Sequence, residues 1–282
     1  MRFELMDSLS LAGDPGKPNE DAFAAEPYAA AVFDGATMVS DPILPGRSDA
    51  AWIATFGARR LMAHLKEGNS PRAALRHALA DAEHSFDGLK RRTPRERHEL
   101  PFASMILAVP CDGGFDALWY GDCGALALRP GGDCDVIGQA FDRKASEAND
   151  ATRFAAETAT PSTGALDNPL FVSLVRSGRN KMNIGTGTWL FAPMAAASEH
   201  ASRARLAAPA GTLVLLCTDG FLALAGDYAA YEPAALVEAA RHKGLKALGA
   251  EIRALENGDP EGGRFPRFKK SDDATAVLVK LA

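Results

Sequence analysis

The sequence predicts an α+β fold in which antiparallel strands pack with two layers of helices. Short apolar runs separated by turn residues, at residues 19–37 and 102–137, are typical of a hairpin and a meander. Apolar residues at three- and four-residue spacing over residues 48–89 and 233–255 predict two pairs of helices. Because 282 residues with a hydrophobic content of 47% can bury one sizeable core, we expect one domain over residues 1–282.

The overall composition argues against several classes of protein. The 31 basic and 36 acidic residues leave a net charge of -5, which argues against a nucleic-acid-binding surface. No apolar run has the length of a transmembrane helix, and Glu4 and Asp7 stand where a signal peptide would be apolar. The 4 cysteines are scattered without a CxxC pair, which argues against a disulfide framework or a structural zinc site. We therefore expect a cytoplasmic protein that binds neither nucleic acid nor membranes.

The predicted strands are bounded by Gly, Pro and Asp residues, which favour turns. Pro27 separates the two strands of the first hairpin, so Asp21 and Asp34 belong to adjacent strands and can lie near one another. Asp122 lies in the tightest turn of the predicted meander. In chain order, strands are expected at residues 3–10, 22–24, 28–33, 102–109, 115–120, 125–128, 136–137, 189–191, 213–217 and 274–281.

Capping residues mark the first two predicted helices. Ser48 is a candidate N-cap for a helix that Gly68 ends. Ser70 is a candidate N-cap for the second helix, with Pro71 at its first helical position. Further helices are expected at residues 145–156, 193–201, 233–240 and 246–255.

Two stretches outside this regular pattern are candidates for substrate recognition. Residues 141–200 contain loop-like segments rich in Gly, Ser and Thr, and we interpret them as a flap-like excursion over a site. Residues 90–98, with the sequence KRRTPRERH, have two interpretations. They form either a solvated helix end and loop, or a docking patch for an acidic partner or phosphoprotein.

Acidic residues occur at the ends of predicted strands or in tight turns at five places. Apolar strand residues flank each of them, so rigid structure would hold each carboxylate in place. Two buried strands that both end in Asp-Gly can place two carboxylates side by side, an arrangement that a divalent cation stabilises. The 6 His residues show no metal-ligand spacing, and a site with oxygen ligands alone favours Mg²⁺ or Mn²⁺. The acidic positions are Asp21, Asp34, Asp122, Asp219 and the pair Asp272 and Asp273.

This acidic pattern suits phosphoryl transfer. Two ions ~3.5–4 Å apart, bridged by one carboxylate, can bind phosphate oxygens and activate a water as the nucleophile. The sequence contains neither a GxSxG nucleophile elbow nor a GxxxxGK[ST] loop, which agrees with a reaction that needs no protein nucleophile. Taken alone, Asp122 fits an ordinary turn residue, since Asp is common before tight turns.

Five motifs cover most of the chain, from Asn19 to Val279: NEDAF, AVFDGAT, WYGDCGALAL, LLCTDGF and SDDATAVLV. In this order they resemble the PPM (type 2C) family of metal-dependent protein serine/threonine phosphatases, and in particular its bacterial branch. The resemblance implies an α-β-β-α sandwich, with two antiparallel β-sheets face to face and helix pairs outside. It also implies hydrolysis of phosphoserine and phosphothreonine in phosphorylated protein substrates.

The resemblance implies a metal-binding role for most of the acidic positions. Asp34 would bridge two Mg²⁺ or Mn²⁺ ions, and the Gly35 carbonyl would bind one of them. Asp219 and Asp272 would be direct ligands of the second ion. Asp122 matches a ligand of a third, weaker ion, which changes its interpretation from turn residue to metal ligand.

The remaining acidic residues would act mainly beside the direct ligands. The resemblance implies that Glu20 and Asp21 hold metal-bound waters, largely outside the direct ligand shell, while Asp273 orients water or backbone. The candidate catalytic residues are then Asp21, Asp34 and Asp219.

Three positions depart from the family pattern. The Arg with which many members hold the substrate phosphate corresponds to Gly16, with Lys17 beside it as a phosphate-binding candidate that lacks bidentate geometry. The His of eukaryotic members corresponds to Ala36, and the usual Ser of the late Asp-Gly motif is Thr218. These departures leave two alternatives open: a weak or inactive pseudophosphatase that binds a phosphoprotein or partner, and a phosphatase of small metabolites.

Overall fold

Two five-stranded antiparallel sheets lie face to face in the computed structural model of the chain, which describes residues 1–158 and 160–282, with the backbone alone for residues 142–145. The strand orders are β1-β10-β9-β6-β7 in the first sheet and β2-β3-β4-β5-β8 in the second. The strands are β1 (Phe3–Leu11), β2 (Asp21–Glu26), β3 (Ala29–Gly35), β4 (Ala103–Cys111), β5 (Gly114–Tyr120), β6 (Gly124–Leu128), β7 (Cys134–Ile137), β8 (Ser202–Ala207), β9 (Leu213–Cys217) and β10 (Ala274–Leu281).

Helices cover the outer faces of both sheets, so the fold is the expected α-β-β-α sandwich. The helices are α1 (Asp49–Lys66), α2 (Pro71–Leu89), α3 (Ala140–Thr158), α4 (Pro169–Arg179), α5 (Asp219–Leu222), α6 (Pro233–Lys243) and α7 (Leu245–Gly258). Short 3₁₀ helices occur at Arg97–Glu99, Ser162–Asp167 and Ala195–His200. Helices α1 and α2 pack on the second sheet, and α6 and α7 pack on the first.

Strand β3 shows why the central strands are continuous apolar runs. Successive side chains of a strand point to opposite faces of its sheet. Ala31 and Phe33 pack with α1 and α2, whereas Ala30 and Val32 pack between the two sheets. Because both faces are buried, alternation between polar and apolar residues is absent and every position is hydrophobic until Asp34.

The first two helices begin where the capping residues predict. The Ser48 hydroxyl accepts a hydrogen bond from the Ala51 amide, and α1 follows directly. Ser70 accepts one from the Ala73 amide, and Pro71 occupies the first helical position of α2. The predicted helices at residues 233–240 and 246–255 are also present, as α6 and α7.

The predicted meander is wrong in its connectivity. Strands β4 and β5 form a hairpin in the second sheet, but β6 pairs with β9 and β7 in the first. Residues 121–123 therefore carry the chain from one sheet to the other. A turn and a crossing use the same turn-forming residues, so local sequence does not distinguish them. The crossing places Asp122 at the junction between the sheets.

Residues 141–200 contain more helix than the sequence suggests. Helix α3 is longer than the predicted helix at residues 145–156, and the predicted loop at residues 158–164 includes Ala159, which lies outside the described residues. Helix α4 was not predicted, although Asn168 caps its N-terminus and Pro169 begins it. Its apolar residues recur at helical spacing, but none of its side chains is fully buried, and Leu170 and Leu174 are exposed.

Two further expectations need correction. The predicted strand at residues 189–191 is a single β-bridge between Phe191 and Ala103, and the predicted helix at residues 193–201 is the 3₁₀ helix Ala195–His200. Strand β8 was missed because it is an edge strand whose side chains are largely exposed, with only Ala204 and Leu206 partly buried.

Among the described residues, no helix combines the length and apolar character needed to cross a membrane. All 4 cysteines are free thiols, with Cys123 and Cys217 buried.

Gly57 tests the packing of α1 against the second sheet. A Cβ atom at Gly57 would lie 2.7 Å from Phe33 and 2.9 Å from Phe191, two rings that meet edge to face. Gly57→Ala should therefore lower the free energy of unfolding by about 1–3 kcal/mol, because the buried rings must move. Gly88→Ala is the matched control in α2, where an added Cβ meets nothing within 4 Å. Urea unfolding should show Gly88→Ala at least as stable as wild type, and equal loss in both variants would contradict this account.

Candidate metal centre

The two Asp-Gly motifs bring one carboxylate from each sheet to a common site. Asp34 is the penultimate residue of β3, and Asp219 begins α5 two residues after the end of β9. Asp34 follows Phe33, which faces the helices, so its side chain points toward the opposite sheet. Burial raises the pKa of Asp34 well above its ordinary value, and the charge of Asp219 is the next largest cause. The charge of Asp219 on the other sheet therefore disfavours the ionised form of Asp34.

The glycines of these motifs are required by close approach of the backbone. A Cβ atom at Gly35 would lie 2.5 Å from the Ala50 carbonyl oxygen and 2.7 Å from that of Glu20. A Cβ atom at Gly220 would collide with the Asp273 carbonyl oxygen. Neither glycine has a left-handed conformation, so lack of space for a side chain, and not backbone conformation, requires glycine at both positions.

Four other carboxylates surround Asp34. After burial, its pKa is raised by Asp219, Asp21, Asp272 and Asp122, in that order. The first two strands account for part of this arrangement, because Asp21 and Asp34 are register partners. These acids come from loops and strand ends that are distant in sequence, yet each lies near enough to Asp34 for its charge to raise the pKa of that carboxyl. Their roles as metal ligands stay a prediction.

Asp21 is the most buried of these acids, at 7% exposure. Burial raises its pKa, as do the charges of Asp273 and Asp272, while hydrogen bonds from Thr275 and Thr218 act in the opposite direction. The Thr218 hydroxyl donates to one carboxylate oxygen, Oδ2, at 3.0 Å. The other, Oδ1, is buried without a hydrogen-bond partner among the described residues. A buried carboxylate oxygen without a donor is stabilised by a cation.

These observations fit a hard divalent cation. The side chains offer oxygen atoms only, and their mutual repulsion would be relieved by positive charge. Within the described part of the chain, no group of three Asp, Glu, His or Cys side chains is close enough to hold one ion by itself. A bound ion would therefore also use backbone carbonyls such as that of Gly35, together with waters, which Mg²⁺ usually retains.

Asp273 and Glu20 fix the backbone around the carboxylates. The two Asp273 oxygens accept hydrogen bonds from the amides of Gly13 at 2.8 Å and Glu20 at 2.6 Å. The Glu20 side chain accepts a hydrogen bond from Ser48 at 2.6 Å, which connects it to the N-cap of α1. Both acids thus position the first loop and the first helix relative to the strand that follows Asp273.

Asp122 is held by a neighbouring strand. Ser104, the register partner of Asp34 on β4, donates a hydrogen bond of 2.5 Å to Asp122 Oδ1. Asp34 therefore lies in a row across the sheet, between Asp21 on β2 and Ser104 on β4. The role of Ser104 was missed, because a single Ser in an apolar strand has no distinguishing pattern.

Two basic residues that the sequence did not single out contact Asp272. Lys269 Nζ lies 2.7 Å from Asp272 Oδ1. Burial lowers the pKa of Lys269, but the charges of Asp272 and Asp34 outweigh that effect and raise it. Arg253 of α7 donates to the Asp272 carbonyl oxygen at 2.7 Å. Lys269 thus partly neutralises the carboxylate cluster, and Arg253 holds the backbone that carries it.

Lys17 does not lie within the cluster. It is exposed and lies 4.0 Å from the exposed Asp14, and Arg47 donates to the Gly16 carbonyl oxygen at 3.0 Å. A different cation, Arg179 at the end of α4, lies close enough to Asp34 for that carboxylate to influence its pKa. Sequence patterning missed Arg179 because the surrounding stretch was irregular and α4 was not predicted.

The basic stretch at residues 90–98 is partly used in internal contacts. Arg92 forms a bidentate ion pair with Glu99, in which Nη1 and Nη2 donate to the two carboxylate oxygens at 2.8 and 2.9 Å. Lys90 pairs with Asp87, and the His98 amide donates to Asn180 Oδ1 at 2.8 Å. These contacts favour the interpretation of the stretch as a helix end and loop.

The sequence profile of protein phosphatase 2C matches residues 14–251. The chain belongs to the protein phosphatase 2C family. The matched span includes Asp21, Asp34, Asp122 and Asp219, and it ends before Asp272. A comparison with curated proteins finds no match.

Solved structures of bacterial phosphatases share this fold. The serine/threonine phosphatase PstP/Ppp of Mycobacterium tuberculosis is 15% identical, with a TM-score of 0.58, and the match covers 100% of this chain and 99% of that one. The catalytic domain of PstP in complex with 2 manganese ions is 16% identical, with a TM-score of 0.56 and the same coverage. The phosphatase MsPP of Mycobacterium smegmatis, in complex with cacodylate, is 15% identical with a TM-score of 0.56, over 99% of this chain and 100% of that one. At these identities the likeness shows a shared fold.

The raised pKa of Asp21 predicts how the metal-free protein responds to pH. A carboxyl group whose pKa is raised by folding destabilises the folded state once it ionises. The free energy of unfolding should therefore fall as pH rises from about 3.9, the pKa in the unfolded chain, to the raised pKa in the folded protein. The fall should be about 1.4 kcal/mol for each pH unit between these two values. In the presence of chelator at pH 7, Asp21→Asn should raise the melting temperature by about 2–4 °C for each kcal/mol gained in the free energy of unfolding. Asp133→Asn, which changes an exposed carboxylate, is the control and should not raise it. A lower melting temperature for Asp21→Asn would contradict the electrostatic account.

Proposed function

We propose that the chain is a metal-dependent phosphatase that hydrolyses phosphoserine and phosphothreonine in protein substrates. The observation that carries the proposal is the cluster of Asp34, Asp219, Asp21, Asp272 and Asp122 at the junction of the two sheets, in a chain of the protein phosphatase 2C family. Family membership supports phosphatase chemistry, and the cluster supplies the ligands that such chemistry requires. The free cysteines support a cytoplasmic location.

The residues of the cluster have distinct proposed roles in holding Mg²⁺ or Mn²⁺. Asp34 would bridge two ions, with the Gly35 carbonyl as a further ligand of one of them. Asp219 and Asp272 would be further ligands of the second ion, which would have to draw them toward Asp34, because no three described carboxylates are close enough to hold one ion in this structure. Asp122 would bind a third, weaker ion. PstP has been solved with 2 manganese ions, which supports this choice of metal. Bound ions would bind phosphoryl oxygens and lower the pKa of a water to near neutrality.

The remaining polar residues would keep the ligands in position. The Thr218 hydroxyl donates to Asp21 and accepts a hydrogen bond from the Thr275 amide, so it connects the two sheets at the site. Asp273 holds the amides of Gly13 and Glu20. Such contacts limit the motion of ligands, and loss of comparable outer contacts in metal sites costs about 10–100-fold in affinity or activity.

A cleft beside the crossing segment is a candidate for the polypeptide that flanks the phosphorylated residue. It has a volume of about 440 Å³ and is lined in part by Gly121, next to Asp122, and by Trp119, Trp189 and His200. The Trp189 and His200 rings stack with 3.5 Å between their centroids. The aromatic rings and polar groups of the cleft offer contacts for the residues on either side of a phosphorylated side chain.

The main competing function is a pseudophosphatase that binds a phosphoprotein without turnover. Gly16 and Ala36, which replace residues used by relatives, motivate this alternative. The intact carboxylate cluster argues against it, because buried like charges destabilise a fold unless they serve a cation.

The first experiment is hydrolysis of p-nitrophenyl phosphate with Mn²⁺, with Mg²⁺ and with excess chelator. Wild type should require the metal for activity. Asp34→Asn should lose at least about 100-fold in turnover, because loss of a direct metal ligand should cost at least as much activity as loss of a residue that only supports a ligand. Circular dichroism should show that Asp34→Asn is folded. Phosphopeptides should then be hydrolysed faster than small phosphorylated metabolites. Calorimetric metal binding without hydrolysis would identify a pseudophosphatase instead.

Asp122 and Ser104 allow a matched test of the third ion. Asp122→Ala should lower turnover while calorimetry still shows the two tighter metal sites, because Asp122 would bind the weaker ion. Ser104→Ala removes the hydrogen bond to Asp122 but keeps the carboxylate, so its turnover should fall less. If Asp122→Ala instead abolished all metal binding, Asp122 would be a ligand of the primary sites.

A further inference from the structure

Arg179, the last residue of α4, lies in the flap-like segment and donates a hydrogen bond to the carbonyl oxygen of Thr37, three residues after Asp34. We propose that Arg179 binds the phosphoryl group of the substrate, in place of the arginine whose position is occupied here by Gly16. The inference rests on the proposed phosphatase function. It assigns the phosphate-binding role to a residue about 160 positions from Lys17, the candidate that the sequence suggested.

The position of Arg179 relative to Asp34 is set by a backbone contact. Arg179 Nη1 donates a hydrogen bond of 2.7 Å to the carbonyl oxygen of Thr37, three residues after Asp34. Burial lowers the pKa of Arg179 to about 10, and the charges of Glu20 and Asp34 partly offset this effect. Arg179 therefore remains a cation at neutral pH, close to the carboxylates that would hold the metal ions.

The guanidinium of Arg179 retains donors for a ligand. In the part of the chain that the structure describes, its hydrogen bond to Thr37 occupies one of the two terminal nitrogens, and no acidic side chain forms an ion pair with it. A guanidinium presents N–H groups in a planar fork that matches two phosphate oxygens. A partly buried cation beside a metal centre, with donors left over, is suited to the negative charge of a phosphoryl group.

The two neighbouring cations are less suited to this role. Arg176, one turn earlier on α4, directs both Nε and Nη2 to the Val39 carbonyl oxygen, at 2.8 and 2.6 Å. Lys17 is exposed beside Asp14 and can offer only a point charge. Of these three cations, Arg179 is the one that lies near Asp34 and still has guanidinium N–H groups available to donate to a ligand.

Contacts at the C-terminal end of α4 hold Arg179 in place. Asn180, the next residue, accepts a hydrogen bond from the His98 amide and donates to Glu96 at 2.6 Å. The end of α4, within the flap-like excursion, is thus connected to the basic stretch at residues 90–98. Binding groups held by such supporting contacts lose less entropy when a ligand binds.

Inorganic phosphate is the probe for this proposal, with the Mn²⁺-loaded protein and the variants Arg179→Ala, Arg179→Lys and Arg176→Ala. Two quantities are measured: the inhibition constant of phosphate against p-nitrophenyl phosphate hydrolysis, and the dissociation constant of phosphate by calorimetry. Arg179→Ala should weaken both by roughly 10–100-fold, the value of a hydrogen bond to a charged group. Arg179→Lys should recover part of the loss. Arg176→Ala, the control on the same helix, should bind phosphate as wild type does.

Separate outcomes distinguish this proposal from the proposed function. If wild type hydrolyses no phosphoester but binds phosphate in an Arg179-dependent way, the phosphate site stands and the phosphatase proposal fails. If Arg179→Ala, shown to be folded and to bind Mn²⁺ normally, has wild-type phosphate affinity, the role of Arg179 is overturned. Loss of phosphate affinity in Lys17→Ala but not in Arg179→Ala would assign the role to Lys17. If Arg179→Ala does not fold, the phosphate affinity of Arg179→Lys is compared with that of wild type instead. The proposal is also overturned if wild type binds no phosphate.

Discussion

Repulsion among buried carboxylates is the constraint on which the rest of this structure depends. Asp34 and Asp21 have raised pKa values because burial and neighbouring acids both disfavour their charged forms. Ordinary folding would separate such groups, so the surrounding backbone must hold them together. The Thr218 hydroxyl donates a hydrogen bond to Asp21, and the Asp273 carboxylate accepts hydrogen bonds from two backbone amides. Repulsion among these carboxylates lowers the stability of the metal-free fold, and a bound cation would raise it again.

The two sheets are indispensable to this arrangement because neither supplies the cluster alone. Asp21 and Asp34 belong to the second sheet, whereas Asp219 and Asp272 adjoin strands of the first. Close approach at Gly35 and Gly220 leaves no room for a side chain. The site is therefore a property of the interface between the sheets, and small changes in their separation would alter the distances between the acids of one sheet and those of the other.

The sequence predicted the local structure of the core well and its long-range connections less well. Apolar runs located the strands, and Ser48 and Ser70 marked the helix starts, because these signals act between near neighbours. The split of the meander at residues 121–123 depends on which sheet each strand joins, and no local signal encodes that choice.

The same limit applies to the candidate site. Five motifs identified the acidic positions because strand ends have distinctive flanking residues. Lys269, Arg253 and Arg179 had no such signal, since each reaches the cluster through tertiary packing of a loop or helix. The basic partners of an acidic site were thus harder to predict than the acids themselves.

The placement of β10 has a consequence for when the site can exist during synthesis. This strand lies between β1 and β9, and Asp272 and Asp273 precede it directly. A nascent chain that extends only to residue 270 lacks both acids and the strand that joins β1 to β9. At about 5–20 residues per second, the earlier helices and the second sheet emerge from the ribosome seconds before these residues. The acidic cluster is therefore incomplete until β10 can be added between β1 and β9, so assembly of the centre is coupled to completion of the first sheet.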